Sequence, residues 1–249
     1  MVQLMRRFLV LAMLAFVLIF NGCAVSTPDS PIDARSFTIF ERMVNSVVVL
    51  PGCTGIVLKN NGKDAVVLTA AHCVARFRVK LPDGKDMFLP VPVMADLNKD
   101  MSCIGTVGNV SVERDLAVIT VSKCTLPTLV AKLARSAPKL GNVVYAVGHP
   151  ALSNYVLTRG IVSRPEVVMD GIKYMLVSAP IINGNSGGPS FNANGEVIGV
   201  NVSIGAIRLR LEDDRPLPIF IGVTHLGIAV PLDEIKAFLK KSGFADLAK

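Results

Sequence analysis

The stretch Gly184-Asn185-Ser186-Gly187-Gly188-Pro189 sets a serine among glycines. A serine hydroxyl is a weak nucleophile until a histidine takes its proton, and that imidazole needs a carboxylate to fix its tautomer and balance the imidazolium charge. Both partners stand upstream. Thr69-Ala70-Ala71-His72-Cys73 puts a histidine at the end of an apolar run, and Arg114-Asp115-Leu116-Ala117-Val118-Ile119 puts an aspartate at the head of another. Ser186 as nucleophile, His72 as general base and Asp115 as the orienting carboxylate form a candidate catalytic set for attack on a carbonyl. The glycines suit the rest of that chemistry. Backbone N–H groups of Gly184 and Ser186 can converge on a developing oxyanion only where side chains leave the approach open. Taken singly, each residue has an ordinary reading: a histidine beside alanines usually packs or caps, aspartates open strands, and serines fill turns. The inference rests on their conjunction.

The elements around these residues decide between two scaffolds. Gly-x-Ser-x-Gly also describes the nucleophile elbow of α/β-hydrolase esterases, with Asp213 or Asp214 and His225 following in that fold's order. An elbow opens a helix directly after its serine. Here Gly187-Gly188-Pro189 leads instead to an Asn192-Ala193-Asn194-Gly195 turn and the strand-like run from Glu196 to Val202, which reads as a hairpin. Elsewhere short apolar runs alternate with turn residues: Val47–Leu50, Gly55–Leu58, Ala65–Leu68 and Leu116–Ile119, then Val143–Gly148, Tyr155–Thr158 and Gly160–Ser163. This spacing predicts an all-β chain of two antiparallel barrels, residues 37–130 and 131–249. His72 and Asp115 fall in the first and Ser186 in the second, so the site is expected at their interface. One C-terminal helix is expected, with Asp233 and Glu234 at its start, Ile235, Phe238 and Leu239 on one face, and Lys240-Lys241 before the stop at Gly243.

Composition permits a substantial core. Of 249 residues, 51% are hydrophobic, which argues against disorder. Part of that apolarity is a leader: Arg6-Arg7 precede a run from Phe8 to Phe20, short of the roughly 20 residues a spanning helix needs. Residues 1–23 read as an export signal. Gly22-Cys23 resembles a bacterial lipobox, with Cys23 as the lipidated residue and residues 24–36 as a tether; cleavage after Ala24 is the alternative and would leave a secreted soluble protein. The expected location is therefore outside the cytoplasm, on a bacterial envelope membrane. Net charge is +7, or +5 once Arg6 and Arg7 are set aside. The basic residues are scattered without aromatic interleaving, which excludes a nucleic-acid partner and leaves affinity for anionic lipid open. Setting Cys23 aside leaves Cys53, Cys73, Cys103 and Cys124, an even set suited to disulfides in an oxidising compartment, with three pairings possible. No metal-ligand spacing is present.

The His, Asp and Ser motifs in that order resemble the chymotrypsin-type, trypsin-like serine proteases. Gly195-Glu196-Val197-Ile198-Gly199-Val200-Asn201 and Gly227-Ile228-Ala229-Val230-Pro231, followed by a helix, are similar to the HtrA (Deg) branch, over roughly residues 40–242. The resemblance implies two six-stranded barrels and a serine endopeptidase that works through an acyl-enzyme on protein or peptide substrates without a cofactor or metal. It implies a Cys53–Cys73 bridge beside the histidine, which leaves Cys103–Cys124 as the second. It also implies a substrate pocket walled by Pro180, Ile181, Ile182 and the strand Asn201-Val202-Ser203. Trypsin-like enzymes that select Lys or Arg carry a carboxylate six residues before the serine; Pro180 stands there, so small aliphatic residues are expected in the pocket. With only about seven residues after Ser242, no PDZ module is expected. The rival from another class is a catalytically silent binding or chaperone protein on the same fold. Oligomeric state stays open, His149 and His225 are expected to be structural, and residues 206–222, with their charged run from Arg208 to Arg215, are read as a solvated loop without an assigned role.

Overall fold

The computed structural model describes residues 34–95, 102–126, 128–150, 155–210 and 216–249. The expected leader, Cys23 and almost all of the expected tether lie outside these residues. A helix, α1 (Ala34–Val44), opens within the stretch read as tether. From Phe37 onward the chain forms one contact unit. Met43 is buried, and Phe40 meets the ring of Tyr145 edge-on at 5.0 Å between centroids. The spacing of Phe40, Met43 and Val44 is helical, which is the signal the shorter β-type runs around it obscure.

Six strands close the first barrel: β1 (Val47–Leu50), β2 (Cys53–Asn60), β3 (Ala65–Thr69), β6 (Val91–Met94), β7 (Ser102–Ser111) and β8 (Leu116–Val121), in the ring order β1-β2-β3-β8-β7-β6. Between β3 and β6 lie a one-turn helix, α2 (Ala71–Ala75), and a small hairpin of β4 (Arg78–Lys80) and β5 (Asp86–Phe88). The second barrel runs β13-β10-β11-β12-β15-β14 and closes through the β13–β14 pairing, with β9 (Lys132–Leu133) added in parallel to β14. Its strands are β10 (Val143–Gly148), β11 (Val156–Met169), β12 (Ile172–Val177), β13 (Pro189–Phe191), β14 (Glu196–Arg210) and β15 (Pro216–Pro231). All ring pairings are antiparallel, so the fold is all-β with two six-stranded barrels and a C-terminal helix.

Barrel closure explains the sequence pattern. A barrel removes exposed sheet edges, and strands covered on both faces become continuous apolar runs. β1 and β3 are buried along their whole length, and all but one residue of β8 is buried. Val48, Ile56, Val67, Leu68 and Ile119 fill the first core; Val144, Met175, Phe191 and Ile198 fill the second. The helix α3 (Leu232–Lys241) seals the end of the chain with Leu232, Ile235, Phe238 and Leu239, and its acidic first turn and basic last turn oppose the helix dipole.

The segment read as a solvated loop is largely strand. β14 and β15 remain paired from Gly205↔Val223 to Arg210↔Pro216, and only residues 211–215 lie outside the described part. Ile207-Arg208-Leu209-Arg210 alternates apolar and charged residues, which matches the period of a strand.

Candidate active site

Strand pairing brings His72 and Asp115 together. β3 and β8 are antiparallel neighbours with Thr69 opposite Ala117, so the residues leaving β3 meet those entering β8. His72 lies in α2, and Asp115 ends the turn before β8, where its N–H donates to Val112 O at 3.2 Å. Both carboxylate oxygens are engaged by one residue: Oδ1 accepts the His72 backbone N–H at 2.8 Å, and Oδ2 lies 2.7 Å from Nδ1. The carboxylate therefore favours the tautomer with hydrogen on Nδ1 and leaves Nε2 as the free base. Asp115 holds this position at φ 52°, a left-handed conformation that non-glycine residues adopt at a cost. The site stays open to substrate, with the His72 side chain 44% and the Asp115 side chain 25% exposed.

Tyr174, on β12, lies close enough to feel this carboxylate. Burial, then the negative charges of Asp115 and Asp170, push its phenol above the ordinary value of 10.0.

A disulfide fixes the histidine's neighbour. Cys73 is bonded to Cys53 at the start of β2, with Cα atoms 5.9 Å apart. A second bridge joins Cys103 on β7 to Cys124 after β8, at 5.8 Å. One ring nitrogen of His72 and both sulfurs of the first bridge lie within 4.8 Å of one another. That cluster has no thiolate to offer a metal, because both sulfurs are spent in the disulfide.

Ser186 sits in the connection from β12 to β13. Asn185 N–H donates to Ile182 O at 3.0 Å, and Gly184 has φ 101° while Asn183 does not have a positive φ. That combination is a type II turn over 182–185, which demands glycine at its third position. No side chain would fit there, because a Cβ on Gly184 would collide with the His149 carbonyl. Gly187, at φ 79°, is equally constrained: a Cβ would run into Thr69 Oγ1 and Thr54 O. Asn185 O accepts the Gly188 N–H at 3.0 Å, which turns the opposite end of that trans peptide, the Ser186 N–H, the other way. Ser186 O accepts the Thr54 N–H at 2.8 Å, and Gly187 N–H donates to Asn201 O at 2.7 Å. The Ser186 loop is thus held by backbone bonds to both barrels. Among the described residues the Ser186 hydroxyl makes no hydrogen bond.

The expected pocket residues occupy several settings. Ile181 is buried against Gly227, and Pro180 O accepts the Thr158 hydroxyl at 2.9 Å. Ile182 is 42% exposed, Val202 sits at the register shift between Asn201 and Ser203, and Ser203 is exposed. Asn201 is fully buried, its amide committed to Pro189 O at 3.0 Å and Ser190 Oγ at 2.7 Å. Its side chain is a strut between β13 and β14. Thr54 and His149, which pack behind the nucleophile turn, were not legible as site residues: a threonine in an apolar run reads as a strand former.

Comparison with known proteins agrees with this geometry. Residues 53–200 match the family model of the trypsin-like peptidase domain. The chain is 29% identical over 237 residues to the mitochondrial serine protease HTRA2 of Drosophila willistoni, covering 89% of this chain and 45% of that protein. It is 33% identical over 190 residues to mitochondrial HTRA2 of Bos taurus, covering 72% of this chain and 34% of that protein. It thus spans less than half the length of these relatives. In fold it is similar to the active form of the Rv3671c protease from M. tuberculosis, at a TM-score of 0.61 and 22% identity over 86% of this chain and 87% of that one. The HtrA-type protease AlgW with tripeptide aligns at 0.62 and 22% identity, over 85% and 64%. With the family model matching more than half of its residues, and with two six-stranded barrels meeting at a His–Asp pair and a glycine-framed serine, the chain belongs to the trypsin-like peptidase domain family.

Proposed function

We propose that this chain is a serine endopeptidase with His72, Asp115 and Ser186 as its catalytic residues. The observation that carries the reading is the pair of bonds from one carboxylate to both the backbone and the ring of His72, on the strand ends that face the Ser186 loop. Ser186 Oγ attacks the substrate carbonyl and passes its proton to His72 Nε2. The oxyanion is met by the N–H groups of Gly184 and Ser186, the amine leaves with the proton, and water then hydrolyses the acyl-enzyme by the same route. No step calls on a cofactor.

The substrate class follows from the pocket walls. No charged side chain stands at Ala179, Pro180, Ile181 or Ile182. A small aliphatic side chain buried against Ile181 and Ile182 would gain about 1.5–3 kcal/mol, whereas Lys or Arg would bury a charge without a partner. Cleavage after Val, Ile, Ala or Leu in extended or unfolded chains is the expected specificity. Incubating a denatured protein with the purified chain and sequencing the new termini tests it. Cuts after those residues, absent with Ser186→Ala, support the reading; dominant cleavage after Lys, Arg or Glu overturns the pocket assignment.

The same reading places the enzyme outside the cytoplasm. Its two disulfides suit an oxidising compartment, and Arg6-Arg7 with the apolar run after them suit export. Anchoring through lipid on Cys23, a tether ahead of α1, and barrels over 37–130 and 131–249 complete the proposed organisation. Among the described residues no helix is long and apolar enough to cross a membrane. Mass spectrometry of the envelope form gives the mature N-terminus; an unmodified terminus beyond Cys23 would replace the anchored form with a soluble one.

A further inference from the structure

The nucleophile turn belongs to the second barrel, yet a residue of the first holds it. Thr54, on β2, is fully buried and reaches the turn twice. Its N–H donates to Ser186 O at 2.8 Å, and its Oγ1 donates to Gly184 O at 2.7 Å. The same hydroxyl accepts the His149 backbone N–H at 3.1 Å and lies 3.3 Å from His149 Nδ1. A threonine hydroxyl has one hydrogen and two lone pairs. The short bond to Gly184 O uses the hydrogen, so the imidazole can bond the hydroxyl only through a hydrogen on Nδ1. Thr54 O is fixed in turn by the Thr69 hydroxyl at 2.8 Å, just before the helix that bears His72.

We propose that Thr54 is a positioning residue for the oxyanion-binding turn. Its hydroxyl, oriented by His149, pins the Gly184–Asn185 peptide and so aims the N–H groups on either side of it, those of Gly184 and Ser186. Two observations make an outside hold necessary. Glycine at φ 101° has no Cβ to restrict its backbone, so the turn depends on its hydrogen bonds to keep its shape. Asn185 Oδ1 adds no hold, because among the described residues it is buried without a hydrogen-bond partner. The pinned peptide is gripped at both ends, its carbonyl by Thr54 and its N–H by Ile182 O. Releasing the carbonyl end frees the turn to rotate away from the oxyanion geometry while leaving the substrate-binding walls in place.

The inference rests on the peptidase reading of Ser186, and its test separates the two. Wild type, Thr54→Val, Thr54→Ser and Ser186→Ala are compared for kcat, KM and rate of fluorophosphonate labelling, with the Gly184 amide resonance as a readout that needs no turnover. Loss of one oxyanion donor typically costs 10²–10³ in kcat, so misaiming by Thr54→Val is expected to lower kcat about 10–100-fold. KM should change less than about twofold, the Gly184 resonance should shift, and Thr54→Ser should restore both kcat and resonance. If Thr54→Val does not fold, Thr54→Ala makes the same test. Wild-type kcat with an unmoved Gly184 resonance, or a loss that Thr54→Ser does not rescue, overturns the proposal. Wild-type protein that neither hydrolyses peptides nor labels at Ser186 overturns the peptidase reading and the catalytic role of Thr54 with it; the Gly184 resonance then reports on the hold alone.

Discussion

The two barrels present their parts of the site by different means. In the first, His72 and Asp115 stand at the ends of paired strands and are locked by side chains: a disulfide at Cys73 and a carboxylate that grips His72 twice. In the second, Ser186 lies three residues before β13, and what fixes its loop is mainly backbone, with glycines at positive φ and carbonyls bonded to both barrels, the Thr54 hydroxyl being, among the described residues, the one side chain that reaches Gly184 O. Side-chain locks fail one at a time when a residue is replaced. A backbone-held loop fails when a Cβ is added where none fits. The half that orients the base should therefore tolerate change in steps, and the half that carries the nucleophile should not.

On the proposed mechanism, the largest effect comes from removing either reacting side chain. Ser186→Ala and His72→Ala should each lower kcat on the order of 10⁴–10⁶-fold, with the double variant little worse than either. Thermal melts should stay near wild type, since neither side chain carries core packing.

Glycine replacements test the contrast directly. Gly187→Ala places a Cβ against Thr54 and Thr69 at φ 79°, whereas Gly62, at φ 87°, has nothing within 4 Å of that position. Gly187→Ala should cost about 2–4 kcal/mol in denaturant unfolding and most of the activity. Gly62→Ala should cost about 1 kcal/mol and leave kcat alone. Equal losses at the two glycines would remove the distinction.

The disulfides sharpen it from the other side. The bridges span 20 and 21 residues, so loop-closure entropy assigns each about 3 kcal/mol. Replacing Cys53 and Cys73 by Ser should lower both stability and turnover, because Cys73 adjoins His72. Replacing Cys103 and Cys124 should lower stability alone. Chemical denaturation and kcat on the two double variants separate these outcomes.

The smallest effect is at Tyr174. Its folded phenol titrates above 10.0, through burial first and then Asp115 and Asp170. The neutral form is favoured by folding, so this contribution to stability is fully present below the unfolded value and is lost as pH rises through the raised folded one. Tyrosinate absorbance should show one late-ionising phenol that disappears in Tyr174→Phe, and the alkaline fall in stability should be shallower in that variant. A late-ionising phenol that persists in Tyr174→Phe would show that burial does not raise this side chain.

How much of this was legible in the sequence follows the range of the interactions. The serine frame, the histidine after an apolar run and the aspartate before one are local patterns, and the apolar runs announced strands because β1 and β3 are buried on both faces, the inner one by the barrel and the outer one by what packs on it. Helix α1 is not legible because its start falls in a stretch that composition alone makes a tether, and the far part of the β14–β15 hairpin because charge masks its period of two. Thr54 was invisible for a different reason. Its hydroxyl bonds residues 95 and 130 positions away, and nothing in Cys53-Thr54-Gly55 signals a partner at that distance. Local chemistry can be read from the chain; the device that joins two barrels cannot.

The most direct test of the central claim is labelling of the purified chain with a fluorophosphonate, followed by peptide mapping. A phosphonylated serine requires both a nucleophile made basic by histidine and donors that meet the oxyanion, so one experiment examines both barrels' contributions together. The expected result is a single adduct on Ser186, lost in His72→Ala and in Ser186→Ala. A folded wild-type chain that takes no label, or takes it on another serine, would contradict the account.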